Sequence, residues 1–153
     1  MSAGLQWAVV VPLLWALWIA IADFSHKRIP NLLLLAALIP SLIWLLWKGQ
    51  SPLGANWFDA ATGLFAGFFL TLPGYISARL GAGDVKLAAV LGLMQGLHGL
   101  LFTLLLGALL LGAASLIVIY RLGREDARTQ TLPAGAALCG AFALNLSALP
   151  WLM

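Results

Sequence analysis

Charge is what this chain has least of. Asp, Glu, Lys and Arg together make up 8% of its 153 residues, and only five of those are acidic. A soluble domain carries about a quarter charged residues, so that class is excluded. Cysteine is almost missing too. The single Cys139 rules out a disulfide framework or a Cys-based zinc site within the chain, and its apolar setting marks it as a small helix-packing residue. Neither Lys nor Arg precedes Trp7. The first apolar run therefore lacks the positive flank of a cleavable signal peptide and is expected to stay as a membrane span. The longest polar stretch, Arg121 to Thr131, leaves no room for a soluble domain. Residues 1–153 are read as one transmembrane domain, without internal repeats or low-complexity segments.

What the chain does have is apolar runs. It is 63% hydrophobic with a mean hydropathy of +1.02, and a spanning helix needs about 20 apolar residues. The fold class expected is all-α: a polytopic integral membrane protein of about six transmembrane helices. The spans read as Leu5–Ala22, Asn31–Trp47, Asp59–Ala78, Asp84–Leu97, Leu100–Tyr120 and Pro133–Leu149. Only Gln95, Gly96, His98 and Gly99 separate the fourth from the fifth. A five-span chain with one long kinked helix is the alternative.

Orientation follows from the basic residues. Lys27 and Arg28 lie in the first loop, Arg79 and Lys86 at the third, and Arg121, Arg124 and Arg128 in the fifth. Of the eight Lys and Arg, only Lys48 lies opposite. The positive-inside rule makes the odd loops cytoplasmic and both termini non-cytoplasmic. Trp44, Trp47, Trp57 and Trp151 then gather at the outer interface, where amphipathic rings settle. The net charge of +3 does not indicate nucleic acid, because the basic residues sit at loop ends and form no patch with interleaved aromatics. Gly63/Gly67 and Gly92/Gly96 are small-xxx-small pairs that permit close helix contact.

Two aspartates stand out in this setting, since an ionisable group at a bilayer edge is costly and points to function. Asp23 ends the first span, ahead of Lys27-Arg28-Ile29-Pro30-Asn31, with Pro30 suited to the first turn of the next helix. Asp84 follows Gly81-Ala82-Gly83 and precedes Val85-Lys86-Leu87. The assigned topology puts both on one side of the membrane. Taken singly, Asp23 reads as an interfacial partner of Lys27 or Arg28 and Asp84 as a helix cap. Lys86 lies two positions beyond Asp84, so the two do not share a helix face; it is placed to meet lipid phosphate, a substrate carboxylate or a cytoplasmic partner. Asp59 is expected to cap the third helix, His98 to lie in an outer loop, and Asn145 to hydrogen-bond between helices. Glu125 and Asp126 are expected in a solvated loop among arginines.

Asp23 with its basic Ile-Pro-Asn tail, the Gly-x-Gly-Asp-Val-Lys-Leu run at Gly81–Leu87, and Pro133-Ala134-Gly135 opening the last span together resemble the type IV prepilin peptidase family. These are GxGD intramembrane aspartic proteases. The motifs stand in the family's order from Ile21 to Gly140. Larger members add paired CxxC motifs and a methyltransferase function; one cysteine and no insertion imply that this chain lacks both. The compact form resembles the peptidases of tight-adherence (Flp-type) pilus systems.

The resemblance implies that Asp23 and Asp84 are the catalytic pair. It implies supporting roles for Gly81, Gly83, Lys86, Lys27, Arg28, Pro30, Asn31, Pro133 and Gly135, and neither metal nor other cofactor. Two close carboxylates cannot both ionise cheaply, so one keeps a proton and the other takes one from water. Such a pair, in low-dielectric surroundings, is expected to work near neutral pH. Gly81 and Gly83 are expected to let a substrate backbone come close. The implied substrate is a prepilin or pseudopilin with a short basic leader, cut at the cytoplasmic face of the inner membrane. The bilayer and the pilus assembly machinery are the further implied partners. A non-enzymatic subunit of a pilus or secretion assembly, or a small transporter, is the rival from another class, although a transporter would place an ionisable residue at mid-membrane. A GxGD protease of the preflagellin or signal-peptide-peptidase type is the nearer rival, but Ala22-Asp23 lacks the Tyr-Asp of the latter.

Overall fold

The structure, a computed structural model, describes residues 3–26, 29–78, 80–127 and 133–148. Five helices account for nearly all of them: α1 (Ala3–His26), α2 (Asn31–Lys48), α3 (Trp57–Ile76), α4 (Ala82–Ala127) and α5 (Ala134–Ala148). Leu and Ala dominate these segments, and both are strong helix formers. Pro12, Pro40 and Pro73 lie inside helices, as membrane-type helices tolerate when neighbours satisfy the freed carbonyls. Ser77 closes α3, its backbone N–H and its hydroxyl both donating to the carbonyl of Pro73.

The ends are chemically marked. Pro30 is the N-cap of α2, one position before the first turn where the sequence had suggested it. Gly49 closes α2 at φ 72°, its N–H donating to the Leu45 carbonyl at 2.9 Å. Asn56 opens α3 by accepting from the N–H of Asp59 at 2.9 Å. The cap of the third helix is thus Asn56, and the expectation for Asp59 is corrected. Asn outcompetes it because the cap must precede the helix, and α3 already includes Asp59 in its first turn.

The expected six helices become five, because α4 carries the fourth and fifth spans in one helical run. That run is not straight. Gly96 takes φ +77°, the left-handed region that ends ordinary helical progress. Asn145 of α5 donates to the Gln95 side chain, the Gly99 carbonyl and the Thr103 hydroxyl, each at 3.0 Å. Farther along, Gly107 lies against Leu138 and Gly140 near Leu110. At the other end of α5, Ile29 touches both Gly135 and Gly83. α5 therefore runs alongside the first half of α4 and against the second, so α4 folds back on itself at Gly96. The Asp59 carboxylate holds the fold, accepting from the N–H of Leu97 at 3.0 Å.

α3 packs against the first half of α4 through small residues. A methyl group on Gly63 would collide with the backbone of Gly92, and one on Gly67 with that of Ala88, the close approach expected of such pairs. One core cluster joins Ala16 and Ile19 of α1, Leu34 of α2, Leu87, Leu91 and Leu100 of α4, and Phe142 of α5. A second, with Leu45, Ala60 and Leu93, closes the far end. The outside is apolar as well: Trp18 and Leu116 are two-thirds exposed, and Trp47 and Phe58 are each 80% exposed. Such a surface suits lipid and not water. Among the described residues, α2 and the stretch Ala82–Arg121 of α4 are long and apolar enough to cross a membrane.

Candidate active site

All five helices bring an end to one locus. α1 delivers Asp23 near its C-terminus, and α2 begins there after Ile29 and Pro30. α3 returns to it through Ser77 and Ala78, the latter at φ 54°, and Leu80 donates its N–H to the Gly74 carbonyl at 3.1 Å to close the link. α4 and α5 both start there. A helix start carries unpaired backbone N–H groups and the positive end of the helix dipole, so the locus favours carboxylates.

Each aspartate uses that chemistry. The Oδ2 of Asp23 accepts from the N–H of Ala136, in the first turn of α5, at 2.9 Å. The Oδ2 of Asp84 accepts from the N–H of Gly81 at 3.0 Å, while its own N–H donates to the Gly81 carbonyl at 3.0 Å. This is the return half of a capping box, an acidic side chain reaching back one turn. Asp84 is in the first turn of α4 and not its N-cap, because the helix begins at Ala82. Both side chains are buried, at 6% and 7% exposure. They lie within electrostatic range of each other and of the Cys139 thiol. Among the described residues, neither carboxyl group has a further hydrogen-bond partner.

The glycines around them have distinct jobs. A methyl group on Gly135 would sit 3.0 Å from the Asp23 Oδ2 and 2.8 Å from the Ile29 Cδ1, so any larger residue makes Asp23 and Ile29 shift. A methyl group on Gly81 would sit 3.2 Å from the Asp84 Oδ2, tight but not prohibitive. Gly83 does not face open space, since Ile29 Cβ would lie 3.0 Å from a methyl there. The expected substrate approach over Gly83 is therefore occupied by a side chain of the chain itself.

Ile29 is the residue that sequence reasoning passed over. It wedges between Gly83, the neighbour of Asp84, and Gly135, the neighbour of the Asp23 anchor. Its only signal was its place in the Ile-Pro-Asn tail. Of the other expected site residues, Gly81, Gly83 and Gly135 gather with the aspartates. Pro133 stands just before α5 and accepts from the N–H of Ala137 at 3.3 Å. Lys86 and Asn31 meet each other, Nζ donating to Oδ1 at 3.0 Å, but on the side of α4 turned away from Asp84. Lys27 and Arg28 lie outside the described residues. Cys139, at 2% exposure, follows Gly135 by one turn and packs into the core as expected. Among the described residues, no three His, Cys, Asp or Glu side chains gather to hold a metal ion.

Comparison with known proteins found no match among curated proteins and none among solved structures. The family model for the type IV leader peptidase family matches residues 10–118. That stretch contains both aspartates, Ile29 and the Gly-x-Gly-Asp run, and it is well over half of the chain. The protein belongs to the type IV leader peptidase family.

Proposed function

We propose that Asp23 and Asp84 are the catalytic pair of a membrane-embedded aspartic endopeptidase, which removes the short basic leader of Flp-type prepilins at the cytoplasmic face of the inner membrane. The observation that carries this reading is the shared anchoring: two buried carboxyl groups at one end of the bundle, each tied by one oxygen to the start of a helix. The family match supplies the peptidase class.

In this reading the ionised member takes a proton from water, and the water attacks the scissile carbonyl. The protonated member donates a hydrogen bond to the developing oxyanion and then a proton to the leaving amine. The backbone N–H of Ala136 and that of Gly81 hold each carboxyl group in place through the cycle. Backbone donors fixed in a helix start need little reorganisation, which is how preorganised polar groups lower a barrier. The fold-back at Gly96 lets α4 cross the membrane twice, giving six crossings in all, with both termini outside and the aspartates inside.

The test is cleavage of a co-expressed Flp-type prepilin by wild type, Asp23→Asn and Asp84→Asn, read as a mobility shift. Asn keeps size and polarity but cannot exchange a proton. Both variants are expected to accumulate uncut precursor at wild-type membrane levels. Good cleavage by either one removes that residue from the mechanism, and an inert wild type on several prepilins favours a non-enzymatic assembly subunit.

A further inference from the structure

On the opposite side of α4 from the aspartates lies a cavity of about 440 Å³. Its walls are Leu34 and Leu38 of α2 and Leu64 and Phe68 of α3, and Val90 of α4 lies in its floor. α2 and α3 come together at the far end, where Leu38 and Leu64 pack on one cluster. At the other end stand Lys86 and Asn31, joined by their 3.0 Å hydrogen bond. The Asn31 oxygen takes the bond, and both side chains line the cavity. Among the described residues, no carboxylate lines the cavity.

The site cannot serve the peptide bond to be cut. Residues two apart on a helix point about 200° away from each other, so a ligand against Lys86 is behind Asp84. A half-open apolar slot with a cation at its polar end matches the shape and chemistry of an acyl chain below an anionic headgroup.

We propose that this groove is a binding site for one anionic glycerophospholipid, with an acyl chain between α2 and α3 and the phosphate on Lys86 and Asn31. Lys86 would lay its methylene stem along the apolar wall and keep its charge at the headgroup level. The site does not depend on the peptidase reading, because it uses no atom of the aspartate pair.

The test is native mass spectrometry of the full chain in neutral detergent, offered equal amounts of phosphatidylglycerol and phosphatidylcholine with the same acyl chains. Wild type is expected to retain the anionic lipid about five-fold more. Lys86→Gln is expected to bring the two lipids to parity, and Lys86→Arg to keep the preference. Leu35→Trp, which fills the slot from an exposed position, is expected to lose the bound lipid of either kind. Equal retention by wild type, or an unchanged preference in Lys86→Gln, overturns the proposal. So does full retention in Leu35→Trp. Displacement of the lipid by inorganic phosphate alone, or by a hydrophobic peptide helix, would assign the site to another occupant.

Discussion

At the scale of residues, the site depends on groups that differ in how they show themselves. Asp23 and Asp84 were legible because a carboxylate in an apolar chain has few bland uses. The glycines at 81, 83 and 135 were legible as motif positions, though not for their individual tasks. Ile29 was not, since one apolar residue among many carries no contrast. The N–H of Ala136, which holds Asp23, was invisible because every residue but proline has one. Gly135 offers the sharpest test at this scale. Gly135→Ala would push a methyl group toward both the Asp23 carboxyl and Ile29, a shift of a few tenths of an ångström. Misplacement of a reacting group slows turnover steeply, so cleavage of the prepilin should fall by about tenfold while the protein accumulates normally in membranes. Wild-type rates would mean that the Asp23 anchor plays no part in turnover.

At the scale of elements, α4 is where sequence and structure part most. A weak polar break at Gln95–Gly99 was legible, but not how it is used: Gly96 leaves the right-handed region and the chain reverses there. Two features distant in sequence make that possible, the carboxylate of Asp59 on Leu97 and the amide of Asn145 on Gln95, Gly99 and Thr103. Asn145 had been read as a link between helices and is one. Asp59 reads locally as the cap of α3, but its role is set by a contact with a distant segment of α4 that no local pattern reports. Removing that acceptor in Asp59→Ala leaves the Leu97 N–H without its partner, at a cost of about 1 kcal/mol. For a chain of this size the melting temperature should drop by a few degrees, and Asp59→Asn, which keeps an acceptor oxygen, should recover most of it. Equal melting of Ala and Asn variants would show that the carboxylate does not hold the fold-back.

At the scale of the whole molecule, hydropathy gave the helical class and the family motifs gave the order of the parts. The assembly itself came from the close packing of α3 on α4 and of α5 on both halves of α4. The orientation proposed above is open to direct measurement. In a Cys139→Ala background, Lys48→Cys at the far end should react with a membrane-impermeant maleimide in intact cells. Ser77→Cys, exposed at the aspartate end, should react only after lysis. The reverse pattern would turn the molecule over and put the aspartates on the wrong side for a cytoplasmic leader.

The anchoring of both aspartates by main-chain N–H groups has a consequence for genetics. A donor that belongs to the peptide bond survives every side-chain replacement except proline, so a scan of single alanines would pass over Ala136 and report Gly81 only through its crowding. A map of intolerant positions would then show two acidic residues and a few glycines, and would understate the machinery around them. The same property gives an inhibitor that copies those amide contacts few routes of escape, because a resistant mutant would have to bend a helix and not merely change a residue.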